Sequence, residues 1–170
     1  MAEPSALQNI ILHQPSPLRK RLSVIGRCPP GAQTRFQQRL ERLPSLRHQN
    51  IEAVHEVHFD PPRDCYLLCE RVEGDSLADI FERERRLPLE VVRAITRQTA
   101  SALTAAHELG LTHGNLSPAA IVLQRPASAD AEVWVKVRDF GLGKQLGPEL
   151  FGALGYLAPE QVDPKEPRPE

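Results

Sequence analysis

The feature that most constrains this chain is a helical stripe near its middle. Val92, Ile95, Thr99, Leu103, Ala106 and Leu109 recur at three- and four-residue spacing, so they share one face of a long amphipathic helix that Gly110 halts. The helix delivers the stretch "LTHGNLSPAAIVL", residues 111 to 123, whose end is β-rich. A second β-rich run, "VWVKVRDF", follows the loop "RPASADAE".

Upstream the pattern changes period. "NIILHQPSPLRKRLSVIG" holds two short apolar runs, Ile10 to Leu12 and Leu22 to Ile25, which predicts two strands with Arg19, Lys20 and Arg21 in a solvated turn. From Ala32, Phe36, Leu40 and Leu43 fall at helical spacing before Pro44 ends the run. "NIEAVHEVHF" and "DCYLLCERV" flank the turn "DPPRD", the pattern of a hairpin, and "EGDSLADIFERERR" reads as a short helix with a charged outer face. The order is strands, helix, strands, then helices and a further hairpin, which is an α+β architecture.

Composition bounds the function. At 170 residues, with 41% hydrophobic and 25% charged, the chain suits one soluble globular domain. A net charge of -1, from 21 basic and 22 acidic residues, argues against nucleic acid or an anionic membrane as partner. No apolar run approaches the roughly 18 residues of a membrane helix, and "MAEPSALQNI" lacks the basic-then-apolar order of a signal peptide, so a cytoplasmic protein is expected. Cys28, Cys65 and Cys69 are too few and too irregular for a disulfide framework; they read as buried free thiols in a reducing compartment. A metal site from His58, Cys65 and Cys69 is disfavoured, because CxxxC in an apolar run places both thiols on one face of a packed strand. The 16 prolines mark turns and a disordered tail.

Five segments, in order, resemble protein kinases. "SLRHQNI" is similar to the link between the small-lobe helix and the next strand, and "YLLCERVEGDSLADI" to the hinge and the helix after it. "LTHGNLSPAAIVL" is similar to the catalytic loop H-R-D-L-K-P-x-N, "VKVRDFG" carries D-F-G, and "GYLAPE" carries A-P-E. The resemblance implies a disordered start over residues 1–8 and a partial kinase-like domain over 9–165. Its small lobe spans 9–70, its hinge 70–74 and its partial large lobe 75–165, with a tail at 166–170. It also implies that the first strand, the Gly-rich loop and the last large-lobe helices are missing, as in a fragment or remnant of a longer protein.

Phosphoryl transfer needs a cation on the phosphates, magnesium held by oxygen, and a group to take the hydroxyl proton. By the resemblance, the phosphate-binding lysine falls on Ile25 and its glutamate partner on Arg39; Glu41 lies about 200° further round the helix. The catalytic aspartate falls on Asn115, the adjacent arginine on Gly114, the loop lysine on Ser117 and the second magnesium ligand on Ala120. Asp139 alone remains to hold a metal, weakly, since such sites share the ion with substrate phosphates. From Asp139 to Glu160 there is no Ser or Thr for activating phosphorylation, and Tyr156 reads as a packed aromatic.

The framework positions survive. Leu43, Val54, His113 and Phe140 match the family's hydrophobic stack. A residual nucleotide pocket would comprise Ile10, Val122 and Ser23 around an adenine ring, backbone groups of Glu70 and Val72, and Cys69 at the back. Every one of those apolar positions would also be apolar in an ordinary core. The reading is a pseudokinase-like binding or regulatory module, needing no cofactor, with weak ATP and magnesium binding at most and a protein partner. Its alternatives are a Ser/Thr kinase with atypical residues and a remnant.

Overall fold

The computed structural model describes residues 20–27, 33–60, 64–84, 86–124, 133–141, 154–156 and 158. The expected hairpin is strands Val54–Asp60 (β2) and Asp64–Glu70 (β3), antiparallel and closing at Asp60 opposite Asp64. β3 is the central strand of a three-stranded sheet, between β2 and Lys20–Arg27 (β1). That position explains its unbroken apolar run: Tyr66, Leu67, Leu68 and Cys69 are all buried, as a strand covered on both faces requires.

β1 corrects one expectation. Lys20 and Arg21 are not a turn but the first residues of the strand, paired with Glu70 and Cys69, because the ladder to β3 continues past the apolar run. Ile10 to Leu12, Arg19 and Cys28 lie outside the described residues.

Helix Gln33–Arg42 (α1) continues into a 3₁₀ turn over Leu43–Ser45, with Pro44 inside it. Phe36, Leu40 and Leu43 are buried at the spacing read from sequence. Helix Leu77–Arg83 (α2) follows the two-residue strand Asp75–Ser76 (β4). It starts on a reciprocal cap: the Ser76 hydroxyl accepts from the Asp79 N–H at 3.1 Å, and the Asp79 carboxylate accepts from the Ser76 N–H at 3.1 Å. The Ser76 hydroxyl also donates to that carboxylate at 2.6 Å, and this bond first, then the one from the Ser76 N–H, holds the Asp79 carboxyl below its ordinary pKa, with Arg83 and Arg138 adding attraction.

The long helix is Leu89–Glu108 (α3). Its buried face is Ile95, Gln98, Thr99, Ala102 and Ala106, with Leu103 half-buried at the flank. The stripe read from sequence is therefore shorter than expected: Val92 and Leu109 are each 42% exposed. Twenty residues of helix run about 30 Å, whereas the strand beneath, Trp134–Val137 (β6), runs about 14 Å, so the helix overhangs its support at both ends.

β6 pairs antiparallel with Ile121–Gln124 (β5), and β5 with β4. The segment leading into β2 stitches the two sheets together: the Glu52 N–H donates to the Val137 carbonyl at 2.9 Å, and the Val137 N–H to the Asn50 carbonyl at 2.8 Å. One core runs through both halves, with Leu40, Leu43, Leu111, Val135 and Val137 at its centre. Cys69 is a buried free thiol, as expected; Tyr156 is 55% exposed rather than packed, on a single 3₁₀ turn whose Gly155 is exposed as well.

Candidate functional site

The stretch after α3 is a loop shaped by two left-handed glycines, Gly110 at φ 66° and Gly114 at φ 76°. Between them His113 is buried. Its Nε2–H donates to the Arg138 carbonyl at 2.8 Å, and its Nδ1 accepts from the Asn115 N–H at 3.3 Å. A carbonyl only accepts and an amide N–H only donates, so one neutral tautomer, protonated on Nε2, satisfies both. Burial is the largest influence on this imidazole and pushes its pKa below the ordinary value, against the opposing Arg138 bond and the Asp139 charge.

The loop ends in a 3₁₀ turn over Pro118–Ala120 that leads into β5. Asn115 and Ser117 are half-buried, Ala120 is buried, and Ala120 N–H donates to the Ser117 carbonyl at 3.0 Å. No carboxylate stands on this loop, and an amide at Asn115 cannot take a proton at neutral pH. His113 also packs on Phe140 with ring centres 4.8 Å apart.

Asp139 has φ 62°, a left-handed conformation uncommon outside glycine, although Asp tolerates it better than most. The turn aims Phe140 inward, where it joins Leu43 and Val54 in the core, so the expected stack of Leu43, Val54, His113 and Phe140 is assembled. Behind Cys69 the stack leaves a void of only about 10 Å³, lined by Leu43, Val54, Cys69, Asp139 and Phe140 among others. That is no larger than the space for one water.

At the hinge, the Glu70 N–H donates to the Ala53 carbonyl at 2.7 Å. Its carboxylate accepts from Lys136 Nζ at 2.9 Å and from the Ala53 N–H at 3.2 Å, while Lys136 Nζ also reaches the Ile51 carbonyl at 3.3 Å. Val72 lines an open hollow of about 490 Å³ with Arg71, Glu73, Gly74 and Gln124. Val122 is buried on β5. The backbones of Ser23 and Ile25 lie in β1, Ser23 opposite Leu67 and Ile25 at a bulge between Val24 and Gly26; Ile10 is outside the described residues. Arg39, on α1, stands over the Phe36 ring with its guanidinium carbon 5.4 Å from the centroid.

Magnesium and a nucleotide are what a kinase-like cleft implies, and of the protein donors such an ion takes, this chain supplies one. Asp139 offers one carboxylate and Ala120 none. Among the described residues no group of three His, Cys, Asp or Glu could hold a metal.

A buried polar cluster escaped the sequence reading. Asn50 Nδ2 donates to Gln98 Oε1 at 2.8 Å and to the Val135 carbonyl at 2.9 Å; Gln98 Oε1 accepts from the Val135 N–H at 2.9 Å, and Gln98 Nε2 donates to the Val133 carbonyl at 2.7 Å. The one available signal was Gln98 lying beside Thr99 in the core-facing arc of α3.

Residues 29–169 match the family model described as the protein kinase domain. The chain is 31% identical over 139 residues to the human serine/threonine-protein kinase ULK1, covering 77% of this chain and 13% of that protein. It is 27% identical over 143 residues to the serine/threonine-protein kinase PknA of Corynebacterium glutamicum, covering 78% and 29%. The crystal structure of Rad53 1-466 in complex with AMP-PNP superposes with a TM-score of 0.65 at 26% identity, over 84% of this chain and 35% of that one. This chain thus spans a minor part of these relatives. With the two stitched sheets, the stack and the D-F-G turn, the match over most of its length shows that the chain belongs to the protein kinase family.

Proposed function

We propose that this chain is a pseudokinase-like module that binds or regulates a protein partner and does not transfer phosphate. One observation carries the reading: the loop keeps its shape on His113 while presenting Asn115 where the family has a proton-accepting aspartate. General-base assistance of about 10²–10⁴-fold is lost with that carboxylate. Ile25, Arg39, Ser117 and Ala120 remove the phosphate cation, its partner, the loop cation and the second metal ligand in the same way. Nucleotide binding through Ile10, Ser23, Glu70, Val72, Val122 and Asp139 is weak on this reading, and ATP and magnesium are not required.

The cytoplasm is the compartment that the three scattered cysteines support. No helix among the described residues is long and apolar enough to cross a membrane.

The test is incorporation of labelled phosphate from ATP with magnesium into the protein itself and into generic substrates. None is expected, and Asn115→Asp alone restores none. Incorporation that Asp139→Ala abolishes would overturn the reading. A Ser/Thr kinase with atypical residues is the second reading, favoured by the left-handed Asp139 turn and by relatives named as such kinases.

A further inference from the structure

Arg138 stands immediately before Asp139; beyond adding its charge to the surroundings of the Asp79 carboxylate, it has no task in the proposed reading. Side chains alternate along β6: Val135 and Val137 are fully buried in the core, so Lys136 and Arg138 face the other side. Val122 pairs with Lys136, and the Arg138 N–H donates to the Ala120 carbonyl at 2.9 Å, continuing the ladder by one step. Arg138 therefore lies on the face that carries Val122, the floor residue of the cleft.

Its guanidinium bends back over the loop. Nη2 donates to the Ala119 carbonyl at 2.9 Å, while Nε is buried without a hydrogen-bond partner. The loop therefore takes up only part of the guanidinium edge. Lys136 on the same face is different: its acceptors are the carboxylate of the hinge residue Glu70 and the Ile51 carbonyl, so it fastens the hinge. Arg138 instead places a planar cation over the junction of loop and strand, where a ligand entering between hinge and Asp139 would rest.

We propose that Arg138 is a built-in occupant of the cleft floor, whose guanidinium takes the Ala119 carbonyl and must swing out before a nucleotide can settle on Val122. This rests on reading the cleft as one of nucleotide-binding descent. It makes weak binding a consequence of self-occupation as well as of missing phosphate ligands. Removing the side chain then opens the floor without restoring chemistry.

The experiment titrates a fluorescent N-methylanthraniloyl ATP into the full chain, the R138A variant and the R138M variant, each with EDTA and with magnesium. Far-UV circular dichroism and a thermal melt establish folding. R138A is expected to bind about tenfold more tightly than the unmodified chain, with or without magnesium, and R138M to gain less because it keeps most of the stem. Equal affinity overturns the proposal, as does no binding by any of the three. Weaker binding by R138A also overturns it, and identifies the guanidinium as a phosphate ligand. Should R138A fail to fold, R138M and the Arg138 side-chain N–H resonance of the unmodified chain decide. Saturating ATP must shift that resonance, and an unmoved one sinks the idea. Phosphate incorporation by the unmodified chain would refute the pseudokinase reading while leaving these affinities to stand or fall separately.

Discussion

His113 Nε2 lies 2.8 Å from the carbonyl oxygen of Arg138, and this bond joins those of Ala119 and Ala120 in tying the loop after the long helix to the residue preceding Asp139. Because the other ring nitrogen accepts from the Asn115 N–H, the imidazole makes both bonds only while neutral.

That requirement gives a pH dependence with a definite sign. Burial lowers the folded pKa of His113, so the unfolded chain binds the proton more tightly. The His113 contribution is fully present above its unfolded pKa of 6.5 and is lost as pH falls through that value toward the folded one. The urea midpoint should therefore drop between pH 8 and pH 5. His113→Leu, which keeps an apolar filler, should flatten that part of the profile, and an unchanged slope would count against it.

Asn50 and Gln98 form a joint of the same kind deeper in the molecule. Replacing either by Leu strands buried donors or acceptors on the partner and on Val135, a loss of about 1–3 kcal/mol by chemical denaturation. The double replacement should not recover the loss, because the Val133 and Val135 backbone groups remain buried without partners. A double variant as stable as the parent would show that water substitutes for both amides.

Glu70 and Lys136 join the hinge to β6 at 2.9 Å, with the lysine side chain 13% and the carboxylate 32% exposed. Lys136→Met should cost about 1–2 kcal/mol, discounted from a fully buried charge pair because Glu70 still meets solvent. Raising salt from 0.05 to 0.5 M should weaken the parent only slightly, since the shorter partner distance and partial burial resist screening. A charge-reversed pair, Glu70→Lys with Lys136→Glu, should remain destabilised, because the Ala53 N–H and the Ile51 carbonyl would then face groups of the wrong polarity.

Two glycines separate backbone strain from collision. Gly110, at φ +66°, has only the Arg42 Nη1 atom, at 3.9 Å, near a would-be Cβ, so Gly110→Ala should cost about 1 kcal/mol from conformation alone. At Gly74, with φ +147°, a Cβ would sit 2.2 Å from the Leu123 carbonyl oxygen, and neither backbone can yield cheaply. Gly74→Ala should be the more damaging by several kcal/mol, opening the contact between hinge and β5, and equal melting temperatures for the two variants would contradict that.

Much of the architecture was legible in the chain. Apolar periodicity located α1, α3 and the β2–β3 hairpin, since burial of one helical face or one strand run is a local pattern that neighbouring residues share. The words around His113, Asp139 and the hinge pointed to the family that the comparisons show. The start of β1 was misjudged because Lys20 and Arg21 pair through their backbones, which side-chain polarity does not report.

Only the tertiary structure decided what the surviving polar groups do. Sequence spacing cannot tell that Asn50 meets Gln98 or that Lys136 meets Glu70, because those partners are 48 and 66 residues apart and come together only when the two sheets are stitched. Nor could it show Arg138 folded onto Ala119, since the direction of a long side chain depends on the acceptor the fold leaves within reach. The residue types pointed to the family and to most of its elements; packing settled which contacts stand around Asn115 and Asp139.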